Sequence, residues 1–206
     1  MNLCTRIPVA IGLVFVLLFA TVAFAVDHRY DVFINGEIDD SVAERAIAVI
    51  QTTSAGDLLV IHINSNGGYV DSAIDITNAL HHTSATKVIS VDGAVASAAV
   101  DITLAGDYLV VTHYKYFIIH ASYVEIGIFK FHRGFDLEKD HQRQMKLYRA
   151  YLTPQELSFI FEDWGDLNLS RQTLIDRVDL PSTPLKMMST KDTVNYTFES
   201  KPNRRL

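Results

Sequence analysis

Ser97 lies among small residues, Gly93-Ala94-Val95-Ala96-Ser97-Ala98-Ala99, after a β-rich run and at the start of an expected helix. A serine hydroxyl becomes a useful nucleophile only when a base takes its proton and a third group holds that base. His120 ends the apolar run Phe117-Ile118-Ile119, and Asp166 lies in Trp164-Gly165-Asp166-Leu167, read as a helix-to-helix corner. Asn66-Gly67-Gly68 separates an apolar strand from a helix, where two glycines permit positive φ and let amides face a developing negative charge. Each feature alone has a plainer reading as a packed small residue, a rim histidine, a turn or cap aspartate and a tight turn. Together, in chain order, a Gly-Gly turn, a helix-start serine, a strand-end histidine and a later aspartate offer the residue types that acyl transfer needs. Nucleotide-binding loops are excluded, because neither the G-x-G-x-x-G spacing nor a G-x-x-x-x-G-K-[ST] lysine is present.

Acidic residues outnumber basic ones 24 to 18 in 206 residues, a net charge of −6 that argues against nucleic acid as a partner. The single cysteine, Cys4, excludes an internal disulfide framework and a cysteine-based zinc site, and no metal or organic cofactor is expected. From Pro8 to Val26 the chain is uncharged; Arg6 precedes this stretch and Ala23-Phe24-Ala25 closes it in a small-x-small pattern. Residues 1–25 therefore read as a secretory signal peptide, or as an uncleaved membrane anchor through residues 8–26. Either reading exports the rest of the chain, to the periplasm, to the outside or to a membrane surface.

The elements that must position the candidate residues alternate. Tyr30–Ile34 reads as a strand broken by Asn35-Gly36, and Ser41–Ile50 as a helix with a Ser41/Glu44 capping box. Leu58–Ile63 is a nearly all-apolar strand, Asn64–Gly68 a turn and Val70–Leu80 a helix. Lys87–Val91, Leu109–Thr112 and Tyr116–His120 are further strands, Asp136–Leu152 is a long charged helix, and Pro154 opens another. This order predicts an α/β fold of βαβ units on a mainly parallel sheet. The catalytic domain is expected over 26–180, and 181–206 is expected to be a polar, aperiodic surface tail.

Ile34-Asn35-Gly36-Glu37-Ile38-Asp39-Asp40, Ile63 through Val70, Gly93 through Ala99, Ala105-Gly106-Asp107 and Phe117 through His120 resemble the ClpP family, the proteolytic subunit of the Clp protease within the ClpP/crotonase fold. The resemblance spans about residues 30–180, close in the first half and loose after His120. It implies a serine peptidase with Ser97 as nucleophile, His120 as general base, and Gly68 and Ala98 as oxyanion-hole amides. Asp166 matches the family aspartate when one residue is gapped, with Asp163 in reserve. Asn66 stands where the family usually has proline, and Ala98-Ala99 where it has Met-Gly. The export signal is shared with the signal peptide peptidase A branch, but no lysine is well placed for that branch's serine-lysine dyad. The resemblance implies peptide or unfolded-protein substrates and a strand-helix extension after His120. Tyr123, Val124, Ile126, Ile128, Phe129 and Phe131 in that extension predict a homo-oligomer. The rival readings are a crotonase-fold enzyme acting on acyl-CoA-like substrates and an inactive membrane-associated scaffold.

Overall fold

The computed structural model of the chain describes residues 26–134 and 137–178, and the backbone of 193–199. The expected leader, 1–25, lies outside the described residues; among those described, no helix is long and apolar enough to cross a membrane. The first half alternates: β1 (Arg29–Ile38), α1 (Asp40–Ile50), β2 (Leu58–Gly68), α2 (Val70–His82), β3 (Thr86–Ala96) and α3 (Ala98–Thr103). There follow β4 (Tyr108–Val111), β5 (Tyr116–Ile119), a hairpin of β6 (Val124–Ile126) and β7 (Phe129–Phe131), then α4 (Leu137–Tyr148), α5 (Pro154–Phe161), β8 (Leu167–Leu169), α6 (Arg171–Arg177) and β9 (Thr193–Glu199). The main sheet runs β8-β5-β3-β2-β1-β9, with β4 also paired to β3. Only the β5–β8 pairing in it is antiparallel. The mainly parallel α/β architecture is the one its alternating pattern predicts.

β2 explains the layering. Leu58, Leu59, Val60 and Ile61 are all fully buried, as a central parallel strand covered on both faces requires. Leu59, Ile61 and Ile63 enter the main core, while Leu58 and Val60 join Val88 in a small cluster on the other face. That second face turns polar at His62.

Several boundaries differ from the sequence reading. β1 continues through Asn35-Gly36 to Ile38, absorbing the break as a register shift between Asn35 and Glu37. Asp39 caps α1, its carboxylate accepting from the Val42 amide at 2.8 Å, so the Ser41/Glu44 capping box is not the cap. A carboxylate there also meets the positive end of the helix dipole. Asn64–Gly68, expected as a turn, stays in β2, paired with Ile38 at Gly68 and with Val95 at Ser65. α4 ends at Tyr148, whose carbonyl accepts from both Tyr151 and Leu152 at 2.9 Å. Asp166 precedes a strand, β8, and not a second helix. Within the segment expected to be aperiodic, Thr193–Glu199 lies parallel beside β1, from Arg29↔Thr193 to Asn35↔Glu199. Its sequence TVNYTFE alternates polar and apolar, a strand period hidden by the polarity around it.

Candidate active site

Ser97 is the one residue between β3 and α3, and its backbone has φ 54° and ψ −130°. A non-glycine residue at positive φ stores strain that its surroundings must hold. The Ser97 amide donates to the Ile118 carbonyl at 3.1 Å, and Ala94, Val95 and Ala96 pair with Tyr116, Phe117 and Ile118 of β5. The strand therefore delivers the serine to a sharp strand-to-helix turn, an arrangement that presents a hydroxyl at the sheet edge.

Gly67 and Gly68 are required by this packing. A Cβ on Gly67 (φ 92°) would lie 2.8 Å from the Ser97 Cβ and 2.9 Å from the Ala98 nitrogen. A Cβ on Gly68 (φ 153°) would lie 2.3 Å from the Ile38 carbonyl oxygen. Polar ties hold the loop. The Ser65 hydroxyl donates to the Gly36 carbonyl and the Tyr116 hydroxyl donates to Asn66 Oδ1, each at 2.6 Å. The Tyr116 bond thus fixes Asn66 next to the two glycines.

Gly68, Ser97 and His120 line one cleft of about 570 Å³, with Glu37, Asn66, Tyr69, Ser122, Tyr123 and Glu125 among its other walls. Ala98 does not line it; its amide opens α3 behind Ser97, against Gly67. His120 follows β5 directly, and its Nδ1 lies 2.9 Å from the Ala121 carbonyl oxygen. A carbonyl only accepts, so Nδ1 carries the hydrogen in this contact and Nε2 is left as the basic nitrogen.

The acidic candidates are placed differently. Ile119 pairs with Leu167 in the antiparallel β5–β8 ladder, so Asp166, just before β8, is one register step beyond that pair, opposite His120, just after β5. Among the described residues no hydrogen bond joins Asp166 or Asp163 to the imidazole. The Asp166 charge is felt instead by Lys130, whose ammonium is held protonated by its hydrogen bond to Tyr123, with the Asp166 and Glu125 charges adding to this. Asp163 donates its amide to the Ser158 carbonyl at the end of α5.

Sequence reasoning missed what anchors the histidine loop. The Ser122 amide donates to Gln144 Oε1 at 3.1 Å, and His141 Nε2 lies 2.7 Å from the Ser122 carbonyl oxygen. α4 is tied to the nucleophile's helix too: Tyr148 donates to buried Asp101 at 2.7 Å, and Arg143 Nη2 lies 2.8 Å from its other oxygen. Burial pushes the Asp101 carboxyl up despite the Arg143 charge. Leu137, His141, Gln144 and Tyr148 recur at three- and four-residue spacing on one face of α4, but Gln144 and His141 are polar, which disguised that face as part of a charged helix.

The Clp protease family model matches residues 19–147. A mutant of ClpP1 from Listeria monocytogenes superposes with a TM-score of 0.56 at 21% identity, covering 80% of this chain and 91% of that one. A mutant of 1510-N, a membrane-bound stomatin-specific protease in complex with a substrate peptide, gives a TM-score of 0.57 at 15% identity, covering 77% and 75%. A second mutant of that protease gives 0.56 at 14% identity, covering 86% of this chain and all of that one, 100%. No curated protein sequence matches the chain. At these identities the superpositions speak for the fold, while the sequence match covers more than half of the chain: it belongs to the Clp protease family.

Proposed function

We propose that the chain is a serine peptidase that cleaves peptide bonds through an acyl-enzyme. The observation that carries this reading is Ser97 at φ 54° on a strand-to-helix turn, in one cleft with His120 and Gly68. Ser97 Oγ attacks the peptide carbonyl carbon while His120 Nε2 takes the hydroxyl proton. The Gly68 amide on the cleft wall receives the oxygen that becomes negative, with the Ala98 amide, which lies next to Gly67 at the start of α3, assigned as the second donor on the family pattern. As the adduct collapses, the C–N bond breaks and the imidazolium gives its proton to the departing amine, leaving an ester on Ser97. Water, its proton taken by His120, then attacks the ester and frees the acid. Asp166 is the acidic member of the triad in this reading. Strand register supports its place beside His120, while the Ala121 carbonyl keeps the tautomer.

No cofactor is assigned to this chemistry. Acyl-CoA chemistry of the crotonase type needs no serine-histidine pair, so the pair favours the peptidase. Replacing Ser97 with Ala is expected to abolish hydrolysis of an unfolded protein such as casein; activity at the wild-type level would remove Ser97 from the mechanism.

We also propose that the protein acts as an exported homo-oligomer on peptide or unfolded-protein substrates. The β6–β7 hairpin supports assembly, because it exposes Ile128 and Phe129 at 87% and 64%, with Ile126 beside them. Sedimentation is expected to show an oligomer that Ile128→Asp disperses; a wild-type monomer at micromolar concentration would refute this. Recovered protein is expected to begin near Val26, or to stay in the membrane with residues 8–26 intact.

A further inference from the structure

The catalytic cleft has a tyrosine and a carboxylate on each of two walls. On one, Tyr123 already holds a cation: Lys130, the strand partner of Glu125 across the hairpin, places its Nζ 4.3 Å from the centre of the Tyr123 ring, and the Glu125 charge adds to the field it feels. On the other, Glu37 and Tyr69 flank the Gly67-Gly68 loop. Glu37 pairs with Gly67, and the Tyr69 amide donates to the Ile38 carbonyl at 2.8 Å, so adjoining strands fix both residues. Tyr69 is 58% exposed, a large aromatic surface left open at the start of α2. Among the described residues no cation pairs with Glu37, and no lysine or arginine lines the cleft.

We infer that Glu37 and Tyr69 form a specificity subsite for a basic side chain of the substrate, so that peptides with arginine or lysine beside the cleaved bond are preferred. The subsite rests on the peptidase reading above and names the substrate class for it. The chemistry is what the molecule uses for Lys130 on the opposite wall, a carboxylate for the charge and an aromatic face for the cation. Position supports the assignment: the loop beside Glu37 carries the oxyanion donor Gly68, so a side chain reaching Glu37 belongs to a residue close to the reacting carbonyl. Glu125 is the weaker candidate, because Lys130 is its strand partner and offsets part of its charge.

The test uses the full-length protein and a fluorogenic peptide that it cleaves, made with arginine, citrulline or glutamate at each residue flanking the cleaved bond. Citrulline keeps the shape of arginine without its charge. At one flanking position kcat/KM is expected to favour arginine over citrulline by about 3- to 10-fold, the range of a solvent-facing ion pair combined with a cation–π contact. Added salt is expected to shrink the ratio. Glu37→Gln is expected to bring it close to one, Glu37→Lys to invert it in favour of glutamate, and Tyr69→Leu to reduce it. Glu125→Gln is expected to move it less than about twofold, since Lys130 offsets part of that charge. Equal cleavage of the arginine and citrulline peptides, or a preference unchanged in Glu37→Lys, overturns the subsite and leaves the peptidase reading standing. A wild-type protein that cleaves none of the peptides and casein as little as Ser97→Ala overturns both.

Discussion

Two histidines, His62 within β2 and His120 just after β5, stand in opposite surroundings. His62, in the middle of the sheet, has both ring nitrogens occupied: Nε2 lies 2.9 Å from Asp31 and Nδ1 2.6 Å from Asp92. Its ring stacks on Phe33 with centroids 4.2 Å apart, Arg29 grips Asp31 at 2.6 and 2.7 Å, and Ser90 and Thr112 hold Asp92. Burial works against its charged form, but the two carboxylates prevail and push its pKa up to about 9. His120, at the sheet's edge, has one nitrogen on a neutral carbonyl and the other left to the cleft. The carboxylate contact expected of a catalytic histidine is therefore found on the wrong one. Two carboxylates keep His62 a cation at neutral pH, with no site to take a further proton, while His120 turns one nitrogen to the cleft.

The largest effect that would break this contrast is on hydrolysis. His120→Gln is expected to lower kcat/KM for a fluorogenic peptide by about 10⁴-fold or more, the scale at which loss of a catalytic base or nucleophile is felt. His62→Gln is expected to leave it within a factor of about two at a temperature where both proteins are folded. Next comes Asp166→Asn. In the serine-protease template this change costs about 10⁴-fold through the wrong tautomer, but the Ala121 carbonyl holds the tautomer here. The expected loss is about 10- to 100-fold, with Asp163→Asn near wild type; the reverse order would make Asp163 the partner.

Smaller effects sharpen the other half of the comparison. His62→Gln leaves Asp31, 2% exposed, with Arg29 alone, and is expected to cost about 2–3 kcal/mol, a fall of roughly 5–10 °C in Tm. The folded pKa of His62 is raised above its ordinary value, so its contribution is complete below about pH 6.5 and is lost as pH rises through about 9. Denaturant unfolding is thus expected to show the wild type losing on the order of 2–3 kcal/mol between pH 7 and 10 relative to His62→Gln. A constant gap between the two proteins over that range would mean that His62 is not held as a cation.

The sequence made the sheet legible because burial on both faces leaves apolar runs such as Leu58–Ile61, and small residues around Ser97 mark close packing. Those elements placed the candidates Ser97, His120 and Gly68, which the structure brings to one cleft. The acidic member was not placed this way, because it depends on the β5–β8 register, and a three-residue strand such as Leu167–Leu169 leaves no period to read. The His62 ladder escaped notice for another reason: Asp31, His62 and Asp92 are each isolated in their own strand, and only parallel pairing makes neighbours of them. The anchoring of the histidine loop by Gln144 and His141 was hidden differently: the two share one face of α4 at helical spacing, but their polarity reads as a solvated surface.

The claim on which everything else depends is that His120, and not His62, activates Ser97. Labelling with a fluorophosphonate, located by peptide mass spectrometry, tests it most directly because it needs no knowledge of the natural substrate. Wild-type protein and His62→Gln are expected to be modified at Ser97 at similar rates, while His120→Gln is modified at background rate. Labelling at another serine, or at Ser97 with equal speed in His120→Gln, would contradict the account.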